Sequence, residues 1–157
     1  MAAVKKVGVQ DSIINSISKL CIQCIDKYQE QVKGIYLSPY RIGGKQRIEV
    51  VVINNSKNES ESIKLGKKET KINDLKILFN TYSAGCYKSK TSTYNYKLLR
   101  DLNYGSIIYD PNGQLSLYKK SASNDENIIP AVNSYELPAE LTRVLKRKIY
   151  SYRRKKN

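Results

Sequence analysis

The sequence predicts an α+β fold, a small mixed β-sheet with helices packed on it. Short apolar runs rich in Val and Ile, typical of buried strands, alternate with segments whose apolar residues recur every three or four positions, as on one face of a helix. Hydrophobic residues make up 40% of the 157 residues, enough to bury one core without disulfides or metals. We therefore predict a single domain over residues 1–157, with its core at about 11–121 and a basic C-terminal helix at about 138–155.

The first predicted helix covers residues 11–28. Asp11 and Ser12 are residue types that commonly cap a helix N-terminus. The apolar residues after them keep a helical spacing and are expected to face the core: Ile13, Ile14, Ile17, Leu20, Cys21, Cys24, Ile25 and Tyr28.

Residues 32–54 are predicted to form two strands joined by a turn. An apolar strand at 34–37 leads into a turn of mainly small and polar residues at 38–45, and a second strand follows at 47–54 with Glu49 near its start. A strand, a small-residue loop and a strand that carries a carboxylate often form a pocket for nucleotide phosphates and a metal ion.

The remainder of the chain continues this alternation. Gly105 ends a helix, the Asp-Pro-Asn-Gly sequence at 110–113 is a strong turn signal, and Pro138 suits the first position of a helix. The predicted strands are 62–67 (at an edge of the sheet), 72–79 and 106–109. The predicted helices are 94–102, 114–121 and one from Pro138 onward. The predicted loops are 54–61, 81–93 and 121–132.

The formal net charge is +14, from 28 basic and 14 acidic residues. A charge this far from zero favours polyanionic partners. The alternative explanation of the charge is an AT-rich genome, which enriches Lys together with Ile, Asn and Tyr without any binding role.

No apolar run is long enough to span a membrane and the N-terminus lacks a signal-peptide core, so we expect a cytoplasmic protein with no membrane partner.

The chain has three cysteines and no histidine. Nucleophile pairs that need histidine are therefore excluded, and Cys and His cannot supply the four ligands of a zinc site. Cys21 and Cys24 form a CxxC pair on the apolar side of the first helix, where we expect both to be buried and reduced. Cys86 is the remaining thiol.

The sequence GSIIYDPNGQL at 105–115 follows a helix, a strand, a small-residue turn, two strands that carry acidic residues and a second helix. This order, over about residues 11–121, resembles the minimal nucleotidyltransferase fold of MNT-type antitoxins and aminoglycoside nucleotidyltransferases. The resemblance implies a loop that holds a nucleoside triphosphate, two carboxylates one position apart that bind Mg²⁺, and a third carboxylate on a neighbouring strand.

The positions of this sequence that match the family pattern form one candidate site. The resemblance assigns its nucleotide loop to Ser38, Arg41, Gly43, Gly44 and Lys45. It makes Glu49 and Asp74 the candidate catalytic carboxylates. The alternatives are a plain flexible turn at the two glycines and an ordinary solvated side chain at Glu49.

Two departures affect this site. Ser38-Pro39 stands where the family has a Gly-Ser pair, and proline lacks the backbone N–H that a phosphate would use. Arg47 stands where the first metal carboxylate is expected, on the same side of the strand as Glu49, with which it could pair. The sequence therefore indicates a degenerate site without a cofactor, and Mg²⁺ is expected only if the protein is an active enzyme.

The last predicted helix carries basic residues and no acidic one from residue 143 to residue 156. Its apolar side is expected to pack on the body through Leu141, Val144, Leu145, Ile149 and Tyr152. Its basic side is expected to contact nucleic-acid phosphates through Arg143, Lys146, Arg147, Lys148, Arg153, Arg154, Lys155 and Lys156, the alternative being a solvated helix face.

A second feature that suits nucleic acid is a group of tyrosines and lysines around residues 82–97. Aromatic rings stack on unpaired bases while lysines hold phosphates, although the same rings would also suit the rim of the core. The group consists of Tyr82, Tyr87, Tyr94 and Tyr96 with Lys88, Lys90 and Lys97.

Together these features favour a catalytically degenerate nucleotidyltransferase-like protein that acts as a nucleic-acid-binding or protein-interacting module. Its expected partner is nucleic acid or a ribonucleoprotein. One alternative is an active metal-dependent nucleotidyltransferase that modifies a protein or RNA acceptor with Glu49 and Asp74. Another is a phage or mobile-element inhibitor that binds a host nucleic-acid machine.

Overall fold

The computed structural model describes residues 2–54, 68–83, 105–123 and 133–156. It confirms the α+β class, with a five-stranded mixed sheet and three α-helices in these ranges. The helices are α1 (Ala2–Tyr28), α2 (Gln114–Ser123) and α3 (Ala139–Lys156), and the strands are β1 (Val32–Ile42), β2 (Lys45–Asn54), β3 (Lys68–Ile72), β4 (Leu75–Ser83) and β5 (Ser106–Tyr109). A short 3-10 helix, Gln29–Gln31, joins α1 to β1. None of the described helices is long and apolar enough to cross a membrane.

The strands are ordered β3-β4-β2-β1-β5 across the sheet. β2 and β4 run parallel, and the other neighbouring pairs are antiparallel. Residues 133–135 lie beside β1, past the end of β5, and Tyr40 of β1 forms an isolated β-bridge with Ser134. The backbone N–H of Arg41 also donates to Asn133 O at 2.8 Å.

The turn between β1 and β2 is shorter than the sequence predicts. Gly43 and Gly44 form it alone, both with positive φ (58° and 79°), and residues 38–42 belong to β1. This is the backbone that a tight two-residue hairpin requires. Pro39 is tolerated inside β1 because its carbonyl points away from β2 and accepts from Tyr135 N at 3.4 Å, so the missing N–H breaks no bond to β2.

The predicted strand at 72–79 is confirmed from Leu75 onward, but its start is wrong, because a hairpin turn divides it. β3 ends at Ile72, the chain turns at Asn73 and Asp74, and β4 begins at Leu75. Asn73 has a φ of 54°, a conformation that asparagine adopts more easily than most residues. The apolar residues on both sides of the turn hid the Asn-Asp turn signal.

Helix α1 begins at Ala2, so the predicted cap at Asp11 and Ser12 is wrong. Both residues lie inside the helix with exposed side chains. The predicted core-facing side is confirmed, since Ile14, Ile17, Cys21, Cys24 and Ile25 are buried. Burial raises the pKa of the Cys21 thiol well above its ordinary value, as suits an inert structural cysteine.

The sheet has a core on each face. The larger core lies under α1 and α3 and includes Ile35, Leu37, Ile48, Val50, Val52, Ile77, Phe79, Leu141, Leu145 and Ile149. The smaller core lies under α2 and consists of Tyr36, Val51, Ile53 and Leu115. Tyr152 of α3 also reaches α1, where its hydroxyl donates to Asp26 Oδ1 at 2.8 Å.

Several predictions fall on residues outside the described ranges. These are most of the loops at 54–61, 81–93 and 121–132, the edge strand at 62–67, the helix at 94–102, and the residues Cys86, Tyr87, Lys88, Lys90, Tyr94, Tyr96 and Lys97. Three loop boundaries are corrected, because Asn54 belongs to β2, residues 81–83 to β4, and residues 121–123 to α2.

Candidate functional site

A groove runs along β5 between α2 and α3. It consists of two adjoining cavities of about 790 and 470 Å³, and among the described residues four line both of them: Ser106, Lys119, Thr142 and Lys146. We call the place where the cavities meet, defined by these four residues, the groove junction. It brings together one residue from β5, one from α2 and two from α3.

The α2 wall of the groove is fixed by Asp110. Its Oδ1 accepts from the backbone N–H of Leu115 at 3.1 Å, and its Oδ2 accepts from Ser116 N and Ser116 Oγ at 3.0 and 2.8 Å. These bonds satisfy donors at the start of the helix that have no partner within it. Leu115 anchors the same turn, because its side chain is buried over Gly34.

The α3 wall is fixed by its apolar side and by Tyr150. Leu141, Leu145 and Ile149 are buried, as the sequence predicts. The Tyr150 hydroxyl accepts a hydrogen bond from the backbone N–H of Asp110 at 2.8 Å. The ring centroids of Tyr150 and Tyr109 lie 5.6 Å apart. Asp110 therefore holds α2 through its side chain and α3 through its backbone.

Two lysines bring positive charge into the groove junction. Lys119 is half-buried, and its ammonium group donates to Gly105 O at 2.7 Å. Burial lowers its pKa, and the charge of Lys146 lowers it further. A lysine whose pKa is depressed by another lysine lies in an electropositive environment.

Hydroxyl, guanidinium and carboxylate groups also line the groove. Ser106 and Thr142 supply hydroxyls at the junction. Arg143 lines the larger cavity and forms an exposed ion pair with Glu140 at 2.9 Å. Two acidic residues of the described ranges also line the groove, an exposed Glu136 in the larger cavity and Asp110 in the smaller one, where its carboxylate caps α2.

The basic residues predicted on the last helix fall into two groups, those that line the groove and those that lie elsewhere on α3. Arg143 and Lys146 line the groove, whereas Arg147, Lys148, Arg154 and Lys155 are exposed elsewhere on α3. Burial raises the pKa of Tyr109, and the charge of the partly buried Arg153 opposes this shift. Lys156 is the last residue of α3.

Sequence reasoning did not identify Lys119, Ser106 or Thr142 as site residues. Lys119 belongs to a Lys-Lys pair on a short predicted helix, which was the available signal. No local pattern relates that pair to the last helix, because the two meet only through the packing of α2 and α3 around β5.

The predicted nucleotide-loop residues lie on the β1–β2 hairpin rather than in a loop. Ser38 pairs with Glu49 in the ladder, and Gly43, Gly44 and Lys45 lie at the hairpin tip. The Arg41 guanidinium lies over the Tyr135 ring, 4.7 Å from its centroid. Whether these residues bind a nucleotide stays a prediction.

Tyr135 links this hairpin to the segment before α3. Its hydroxyl donates to Arg47 O at 3.1 Å. Burial raises its pKa to about 12, although the nearby Arg41 opposes the shift. Tyr135 and Arg41 line a further cavity of about 550 Å³, whose apolar lining includes Ile48 and Leu141.

The two candidate carboxylates are not brought together. Glu49 is buried on β2, and the hydroxyl of Tyr82 on β4 donates to its Oε1 at 3.4 Å. Asp74 is exposed in the β3–β4 turn, four residues before Leu78, the ladder partner of Glu49. At about 3.3 Å per residue, the two lie about 13 Å apart along the strands. Within residues 2–54, 68–83, 105–123 and 133–156, no group of His, Cys, Asp and Glu could hold a metal ion.

A comparison with protein-family models found no match, and a search of curated proteins found no significant similarity. The chemistry of the groove is therefore inferred from the residues that line it. Two lysines, an arginine and two hydroxyls around one cavity suit a ligand that carries several negative charges.

Proposed function

We propose that this protein binds nucleic acid through the groove and the exposed basic side of α3. The observation that carries the proposal is the convergence of Lys119 and Lys146 on one groove from two helices. Two ammonium groups that line one groove favour a negatively charged ligand between them.

The length of the basic surface favours a polyanion over a small anion. Arg143 and Arg154 are eleven residues apart on one helix. That interval corresponds to about 16 Å at 1.5 Å per residue. Phosphates along one strand follow each other at about 3.4 Å of helix axis, so this surface extends past several of them. Contacts of this kind give affinity without reading the base sequence.

The proposal includes a scaffold of nucleotidyltransferase type that has lost its catalytic site. The scaffold itself rests on the resemblance of the sequence, and three observations support the loss of the site: Arg47 occupies the position where that resemblance expects a carboxylate, Asp74 lies on an exposed turn away from Glu49, and the chain between β1 and β2 is a tight hairpin. Phosphoryl transfer with two metals needs several carboxylates around one point, which Glu49 and Asp74 do not supply together.

The experiment is a fluorescence anisotropy titration of labelled single-stranded RNA, single-stranded DNA and duplex DNA with the full chain. We expect Lys119→Ala/Lys146→Ala to weaken binding at least about tenfold, which is about 1.4 kcal/mol. The matched control is Lys19→Ala/Lys71→Ala, which removes the same charge from exposed positions on α1 and β3. Equal losses in both double variants, or no binding by the unmodified chain, would overturn the proposal.

A further inference from the structure

Lys119 of the groove junction differs from the basic residues of α3 in burial and in fixation. The lysines and arginines of α3 other than Arg153 are exposed where their side chains are described, and they belong to one helix. Lys119 is half-buried on a second helix, and its ammonium group is held by Gly105 O at 2.7 Å. An ammonium group fixed in this way loses less side-chain entropy when it binds an anion than a mobile surface lysine does.

The charge at the junction favours a dianion over a monoanion. Burial and the charge of Lys146 both disfavour the protonated form of Lys119, as its lowered pKa shows. A bound anion offsets both effects, and the gain increases with its charge. An internal phosphodiester carries one negative charge, whereas a phosphomonoester carries about −1.5 to −2 at pH 7.

The donors at the junction also suit a phosphate that ends a chain. A monoester presents three terminal oxygens, each a strong acceptor. The Lys146 ammonium has three N–H donors, and the hydroxyls of Ser106 and Thr142 have one each. They come from β5 and α3, while Lys119 comes from α2, so donors approach the junction from three elements.

Neither of the two acidic residues in the described lining of the groove lines both cavities. Glu136 lines only the larger cavity, and Asp110 lines only the smaller one. The Asp110 carboxylate accepts three hydrogen bonds from Leu115 and Ser116 at the start of α2, which reduces its repulsion of an anion. Of the described residues, the two cavities share two lysines, a serine and a threonine.

We propose that the groove junction binds the terminal phosphomonoester of a nucleic-acid strand, with Lys119 and Lys146 as its cationic contacts. The proposal rests on the proposed function and narrows it from nucleic acid in general to strands that end in a phosphate. The chemistry at the junction is the same for a phosphate at either end of a strand, so the two ends are separate arms of the test.

The experiment compares labelled oligonucleotides of one sequence that carry a 5′-phosphate, a 3′-phosphate or hydroxyls at both ends. We expect the full chain to bind at least one phosphorylated form about tenfold more tightly than the hydroxyl form. Lys146→Ala, at an exposed position, should abolish this preference, and Lys119→Gln should do the same. Lys19→Ala should keep it, and circular dichroism with thermal melting checks that each variant is folded.

The outcomes separate this inference from the function on which it rests. Equal affinity for all three oligonucleotides would overturn the terminal-phosphate site and leave nucleic-acid binding intact. A preference that persists in both folded lysine variants would overturn the assignment to the junction. No binding of any oligonucleotide would overturn the proposed function itself.

Discussion

The backbone N–H of Asp110 donates a hydrogen bond to the hydroxyl of Tyr150 at 2.8 Å. The carboxylate of the same aspartate caps α2. One residue at the end of β5 therefore sets the position of both helices that form the groove. The distance between Lys119 on α2 and Lys146 on α3 depends on it, so changes at Asp110 or Tyr150 should affect binding as well as stability.

Asp110→Ala should destabilise the protein by about 1 kcal/mol, because it removes the cap of α2. It should also weaken oligonucleotide binding, since Lys119 lies on the helix that loses its cap. Urea unfolding and anisotropy measure the two effects. Asp11→Ala is the control, because Asp11 is exposed within α1 and its loss should leave both quantities nearly unchanged.

Tyr150→Phe should cost about 1 kcal/mol, because the N–H of Asp110 loses its acceptor while the aromatic ring beside Tyr109 remains. Binding should weaken with it. Tyr152→Phe is the matched control: it also removes one hydroxyl from α3, but that hydroxyl contacts Asp26 on α1. A parallel loss of oligonucleotide affinity in the control would show that the Asp110 contact has no special role.

Gly34→Ala should destabilise the protein by about 1–3 kcal/mol through overpacking. An added Cβ would lie 2.8 Å from Leu115 Cγ and 3.2 Å from Tyr109 O, both buried residues. The strain should push α2 away from β1. In a double-mutant cycle, Leu115→Ala should remove much of the cost of Gly34→Ala, whereas strictly additive unfolding energies would refute the steric explanation.

The stability contributed by Tyr135 should depend on pH in the alkaline range. Burial raises its pKa from 10.0 to about 12 in the folded protein, so the unfolded chain loses this proton first as the pH rises. The contribution is therefore fully present below about pH 10 and is lost as the pH rises through about 12. Urea unfolding of the unmodified chain and of Tyr135→Phe, compared from pH 8 upward, isolates this residue; a constant difference in unfolding free energy would contradict the prediction.

The local sequence pattern predicted the structure correctly where that structure depends on a single helix or strand. The apolar run of β2 and the helical spacing of Leu141, Leu145 and Ile149 placed a strand and a buried helix face correctly. The local pattern failed where the structure depends on a neighbouring segment that is distant in the sequence. Pro39 continues β1 because its carbonyl bonds to residue 135 rather than to β2, and no local signal reveals that neighbour.

The groove could be predicted only in part for the same reason. The basic run on the last helix pointed to Arg143 and Lys146, and both line the groove. Lys119 joins them because Asp110, directly after β5, caps α2 and because Leu115 packs α2 over Gly34 of β1. Asp74, assigned from the order of segments, lies on an exposed turn, because a hairpin divides the strand on which it was expected.

The most direct test of the account is the salt dependence of binding to single-stranded nucleic acid. Each phosphate contact by a Lys or Arg contributes about −0.7 to the slope of log Kobs against log[salt]. Lys119→Ala/Lys146→Ala should therefore reduce the magnitude of that slope by about 1.4, and Lys19→Ala/Lys71→Ala should leave it unchanged. An unchanged slope in the groove variant, with the protein folded, would contradict the claim that the groove contacts phosphates.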